Sequence, residues 1–167
     1  MRTVPLAAAL ALFWAGQSLA QGAPEPNQLN FLAGDWAVSD ASGAVVGRSH
    51  IVMQAPGAAL YEERRVGTEM QPLWFVRSER HQAWTQLFVG VSGMVREFPA
   101  TSAPGTWPMV MGADVTLRDG TPVRFRLTMT RTTDDDSRRV LEVSRDQGTT
   151  WSTVFDYRYR REGPAAN

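Results

Sequence analysis

Val123-Arg124-Phe125-Arg126-Leu127-Thr128-Met129 alternates apolar and polar residues without a break. Successive side chains of a strand point to opposite faces, so Val123, Phe125, Leu127 and Met129 share one side. Arg124, Arg126 and Thr128 share the other, whereas a helix would scatter the same residues around its circumference. The stretch reads as a strand with one dry face and one wet face. The period recurs on both sides of it. Met109, Met111, Ala113, Val115 and Leu117 share a face upstream. Downstream, Trp151, Phe155, Tyr157 and Tyr159 stand opposite Asp156, Arg158 and Arg160.

Working outward, strand character is found at 35–40, 45–54, 59–66, 73–78, 83–90, 94–98, 108–118, 121–130, 138–145 and 151–161. Turn residues separate these segments: Ser42-Gly43, Pro56-Gly57, Ser92-Gly93, Asp119-Gly120 and Asp146-Gln147-Gly148. Asp119-Gly120 suits the positive φ angles of a type I′ hairpin. About ten strands joined by hairpin-length links predict an up-and-down meander, and closing it removes both aggregation-prone edges. The expected fold is all-β, a single closed antiparallel barrel with a short helical turn at 27–33. One longer connection, 100–107, reads either as a lid at the rim or as a plain connector. The inverse barrel, with lipid outside and arginine inside, is disfavoured. Such barrels usually end on an aromatic residue, and this chain ends Arg-Glu-Gly-Pro-Ala-Ala-Asn.

The ends of the chain read differently. Arg2, the apolar run 6–14 and Ser18-Leu19-Ala20 have the layout of a signal peptide over residues 1–20. Residues 21–30, with Pro24 and Pro26, read as a flexible leader, 31–161 as the barrel and 162–167 as a disordered tail. The expected location is periplasmic or secreted, with no integral membrane span after signal removal.

Composition narrows the chemistry. The 167 residues carry 17 basic and 17 acidic side chains, so no global field draws the chain to nucleic acid. Every basic residue other than histidine is arginine, which excludes Schiff-base chemistry. No cysteine is present, which excludes thiol nucleophiles, disulfides and cysteine-ligated metal. Asp134-Asp135-Asp136 reads as a solvated acidic loop, too short in alternating oxygen ligands for calcium. No metal site and no cofactor are expected.

Two motifs mark the ends of the domain. Gly34-Asp35-Trp36 opens the first strand after Phe31-Leu32. Its Gly-x-Trp is similar to the opening motif of lipocalin-like barrels, a resemblance that implies a tryptophan plug covered by a last-strand arginine, here Arg158 or Arg160. Ser144-Arg145-Asp146-Gln147-Gly148-Thr149-Thr150-Trp151 matches the Asp-box hairpin, Ser-x-Asp-x-Gly-x-Thr-Trp. In that hairpin Ser and Asp side chains bond turn amides, glycine takes the left-handed position and Trp packs beneath. Sialidase propellers carry several copies, but one copy in a chain this short is a turn, not a glycosidase.

Phe31-Leu32-Ala33-Gly34-Asp35-Trp36, Leu60-Tyr61-Glu62-Glu63 and Leu141-Glu142-Val143-Ser144 running into Trp151-Ser152-Thr153-Val154-Phe155-Asp156 together resemble an often exported bacterial family of unknown function. That resemblance implies a lipocalin-like barrel and no established activity. Gln147 stands where the family's turn has its first glycine. Nitrobindins, which hold haem through a histidine, are a distant relative in shape. His50 and His81 do not match their ligand position, and haem is disfavoured.

Polar residues in phase with apolar ones are the candidate site. Glu62 is in phase with Leu60 and Val66, Arg77 with Leu73 and Phe75, Gln86 with Trp84 and Phe88, and Arg96 with Met94 and Phe98. Inside a barrel these groups either pair with one another or hold a ligand. The binding expectation is a small hydrophobic or acidic amphiphile, its head at Arg77 or Arg96 and its tail on Phe125, Met129 and Tyr157. The alternatives are an enzyme using Glu62 as base beside one of those arginines, and a structural envelope protein.

Overall fold

The computed structural model describes residues 27–90, 93–117 and 119–163. The expected signal peptide, the leader before residue 27 and the tail from 164 lie outside the described residues. Ten strands follow one short 3-10 turn, Asn30–Leu32. They are β1 Gly34–Ser39, β2 Val45–Ala55, β3 Ala59–Val66, β4 Glu69–Ser78, β5 Ala83–Val89, β6 Val95–Pro99, β7 Met109–Thr116, β8 Pro122–Arg131, β9 Asp136–Ser144 and β10 Ser152–Arg161.

All neighbours are antiparallel, in the order β6-β5-β4-β3-β2-β1-β10-β9-β8-β7. The first and last strands of that order meet at a bridge between Ala100 and Met111. The Thr101 amide adds a bond to the Val110 carbonyl at 2.7 Å, so the barrel is nearly closed.

The expected all-β barrel is therefore the observed fold, with local departures. The fourth strand, expected over 73–78, is longer at its start. It begins at Glu69 and runs through Pro72, which stands opposite Glu63. The Asp119-Gly120 turn is not of type I′. The Gly120 amide bonds the Leu117 carbonyl and the Leu117 amide bonds the Thr121 carbonyl. That pattern, with Gly120 at φ 84°, is a three-residue loop closed by a left-handed glycine. The same pair of bonds joins Asp40, Gly43 and Ala44, and again Gly90, Gly93 and Met94.

Leu29, assigned to the leader by sequence, is fully buried, and Gln28 is nearly so. The packed chain thus begins earlier than composition indicates, because these two side chains seal one end of the barrel. Trp36, Phe75, Trp84, Met109, Met111, Met129 and Tyr159 fill the interior. The outer face carries paired charges: Arg138 with Asp156, Arg158 with Asp136, Arg124 with Asp114 and Arg126 with Glu142. A lipid-facing barrel has the opposite polarity. No helix among the described residues is long and apolar enough to cross a membrane.

Candidate functional site

One end of the barrel is plugged. Trp36 is fully buried, donates its Nε1–H to the Leu32 carbonyl at 2.8 Å, and meets Tyr159 edge-on. The arginine over its indole is Arg161, with the guanidinium carbon 4.3 Å from the ring centre. This corrects the expectation of Arg158 or Arg160. Strand parity gives the reason: Trp36 is registered opposite Arg161, which shares the inward phase of Tyr159 and Tyr157. Arg158 and Arg160 take the outward phase and are exposed, and Arg158 pairs with Asp136.

Arg161 bonds the carbonyls of Ala33 (2.7 Å), Phe31 (2.5 Å) and Asp134 (2.9 Å), and the Asp135 carboxylate (2.7 Å). Gly34 sits at φ 127°, and a Cβ there would overlap Nη1 of Arg161. The glycine of the opening motif is thus demanded by the arginine as well as by the backbone. The acidic run works in the same direction, because Asp134, Asp135 and Asp136 pair with Arg131, Arg161 and Arg158 respectively.

The loop at 100–107 belongs to this plugged end. Gln28 bonds both Thr106 and Gly105, and Trp107 meets Phe31 edge-on. It closes the plug and is no lid over the mouth.

Midway along the barrel lies a buried polar network. Glu62, with no exposed surface, accepts bonds from Ser49 (2.7 Å) and Tyr159 (3.3 Å) and forms a close ion pair with Arg139, itself 1% exposed. Burial pushes the Glu62 carboxyl up, but the charges of Arg139 and Arg64 and the bonds from Arg139 and Ser49 outweigh it. The carboxyl is held below its ordinary value. A general base needs the opposite displacement, toward neutrality. The groups that bond Glu62 are Ser49, Arg139 and Tyr159, and the expected pairing with Arg77 or Arg96 is not among them.

Arg64, 5% exposed, continues the network toward the open end. It donates to the Tyr159 hydroxyl at 3.2 Å and to the Gln71 side chain. Its guanidinium lies 4.9 Å from the Phe155 ring centre and 5.6 Å from that of Tyr157. Those two rings are stacked 4.6 Å apart. Burial, the largest influence, pushes the Tyr159 hydroxyl up; the charges of Arg139 and Arg64 oppose it without cancelling it. Tyr159 is therefore a neutral partner.

Above Arg64 opens a cavity of about 290 Å³ inside the barrel. Arg64, Gln71, Gln86, Arg96, Glu69 and Leu73 contribute to its wall. Phe88, Phe98, Phe125, Phe155 and Tyr157 supply aromatic surface. Gln86, Arg96, Phe125 and Tyr157 are thus brought together as the sequence placed them. Glu62 lies in the network below the cavity rather than on its wall. Arg77 and Met129 are absent from the wall, Met129 being packed in the core and Arg77 registered opposite Trp84 near the plugged end. The arginine that shares the cavity wall with Arg96 is Arg64, not Arg77. Arg64, Arg139, Ser49 and Tyr159 were not singled out by sequence, although Arg64 is in phase with Glu62 and Leu60.

The Asp-box hairpin frames the mouth. The Gly148 amide and the Asp146 carboxylate both bond Ser144 Oγ, each at 2.7 Å, and Asp146 accepts from the Thr150 amide and hydroxyl. These bonds, with the Thr150 hydroxyl foremost, pull the Asp146 carboxyl down to about 2. Gln147 (φ 58°) and Gly148 (φ 98°) are both left-handed, a conformation that glycine adopts more readily than glutamine. Trp151 bonds the Gly148 carbonyl and lies under the Arg126 guanidinium at 4.1 Å. An outer groove beside Trp151 has its charges already paired, Arg124 with Asp114 and Arg126 with Glu142.

His50 bonds Asp35 and His81 bonds Glu97, both outside the cavity. Among the described residues no cluster of three or more His, Asp or Glu side chains is arranged to hold a metal ion. No family model matches the chain, and no curated protein is significantly similar to it.

Proposed function

We propose that the protein is a small-molecule-binding barrel, holding an apolar or acidic amphiphilic ligand in the cavity at its open end. The observation that carries this reading is the cavity itself: about 290 Å³, inside the barrel, with an apolar wall and a buried arginine. A 150 Å³ apolar cavity takes benzene, so this one has room for roughly a bicyclic molecule. Binding sites are commonly apolar concavities with few convergent polar groups. The resemblance to exported lipocalin-like barrels supports the same reading, as does the signal-peptide layout of residues 1–20 for a periplasmic or secreted location.

Native mass spectrometry of protein purified from its own host tests this directly. A stoichiometric adduct, lost when Phe125→Arg fills the cavity, is expected. A bare mass, with no saturable binding in a fluorescence screen of fatty and aromatic acids, overturns it.

A further inference from the structure

Two fully or nearly buried arginines, Arg139 and Arg64, share the interior with one fully buried carboxylate, Glu62. Arg139 takes Glu62 as its ion-pair partner. Both groups that Arg64 bonds, the Tyr159 hydroxyl and the Gln71 amide, are neutral. Its Nε–H is buried and has no partner among the described residues. Arg64 also lines the cavity. A buried guanidinium with a free N–H and no bonded carboxylate is costly in isolation and is relieved by an anion.

The rest of the wall sets the size of that charge. Arg96 lines the same cavity, its Nε–H is likewise without a partner, and it forms no ion pair among the described residues. Glu69 is the one acidic residue on the wall. Two arginines against one glutamate leave a single positive charge in excess, which a monoanion balances and a dianion overshoots. The remainder of the wall selects shape. Phe155 and Tyr157 stack within 9° of parallel, and Phe98 meets Phe125 edge-on at 6.2 Å. Flat rings gain from offset or edge contacts with such walls beyond the area they bury.

Resting on the cavity being the ligand site, we infer that its ligand is an aryl monocarboxylic acid. The carboxylate bonds the Arg64 guanidinium, with Arg96 as second cation, and the aromatic body lies among Phe98, Phe125, Phe155 and Tyr157. Arg64 is held for this task from behind by Tyr159, which Glu62 and Arg139 in turn fix.

Titration calorimetry of the exported chain with 2-naphthoate, the neutral 2-naphthalenemethanol and decanoate tests the inference. The naphthoate is expected to bind at least about tenfold more tightly than the alcohol, the discrimination of one charge-assisted bond, and more tightly than decanoate. In Arg64→Met the naphthoate affinity should fall to that of the alcohol, whose own affinity is unchanged; Arg96→Met should lower it less. The wild-type acid-to-alcohol ratio needs no variant to fold. Equal binding of acid and alcohol overturns the anion site while leaving the cavity as a binding site. Tighter binding of decanoate overturns the aryl class. If none of the three binds, the cavity reading falls with the inference.

Discussion

Each end of the barrel sets an arginine against aromatic rings, and the two arginines differ in what their N–H groups meet. Arg161, at the plugged end, lies over Trp36 and donates to three backbone carbonyls and one carboxylate. Arg64, toward the open end, lies over Phe155 and Tyr157 with neutral partners and an unpartnered Nε–H. The cation–π geometry is alike, with ring distances of 4.3 Å and 4.9 Å, so it does not separate the roles. Hydrogen-bond saturation does. The guanidinium whose donors are used up within the chain closes the fold, and the other keeps a free donor on the cavity wall.

The plugged end is the place to break this contrast most severely. Trp36→Ala deletes a fully buried indole and should cost on the order of 3–5 kcal/mol. Equilibrium urea denaturation reads the loss; a midpoint unchanged from wild type would remove the plug from the account of stability. The two arginines should then diverge under the same substitution. Arg161→Met strands the Ala33, Phe31 and Asp134 carbonyls and should cost about 1.5–3 kcal/mol. Arg64→Met removes a buried cation bonded only to neutral groups, and Tyr159 keeps its bonds to Glu62 and Arg139. Its cost should be smaller, about 0.5–1.5 kcal/mol, that of an ordinary hydrogen bond. Comparable losses in both variants would make Arg64 a structural residue and dissolve the distinction.

How far the sequence led follows the same division. Strand period and turn chemistry gave the barrel, because every strand must put one face inward, and the parity counted from Val123 and Phe125 holds along β8. Phase also placed Gln86, Arg96, Phe125 and Tyr157 correctly. It failed where the question was height along the barrel rather than face. Arg77 and Arg96 share the inward phase, yet one sits near the plug and the other on the cavity. Height depends on register between strands, which alternation within a strand does not carry. Arg139 is not legible in this way because β9 lacks a clean alternation, and Arg161 because it lies at the very end of β10, beyond the outward-facing Arg158 and Arg160. Pairing of the buried charges is a matter of three dimensions, and phase brings only the candidates.

The mouth offers the smallest and most local way to sharpen the comparison. Asp146 is solvent-exposed, and its carboxyl is nonetheless pulled down to about 2, first by the Thr150 hydroxyl and then by the Thr150 amide and Ser144. Because the folded value lies below the ordinary 3.8, its contribution to stability is fully present above that ordinary value. It is lost as pH falls through about 2. Carbon-detected NMR titration of the side-chain carboxyl should show a midpoint near that value. Thr150→Val removes the hydroxyl bond and keeps the amide bond, so the midpoint should rise part of the way back. Arg64→Met should leave it where it is, since the side-chain and Thr150-amide bonds that the Asp146 carboxylate accepts come from Ser144 and Thr150. A midpoint that moves with Arg64 would mean that the rim responds to charge in the cavity. The open end would then be a coupled unit of binding wall and frame, rather than a preformed frame around an unsaturated arginine.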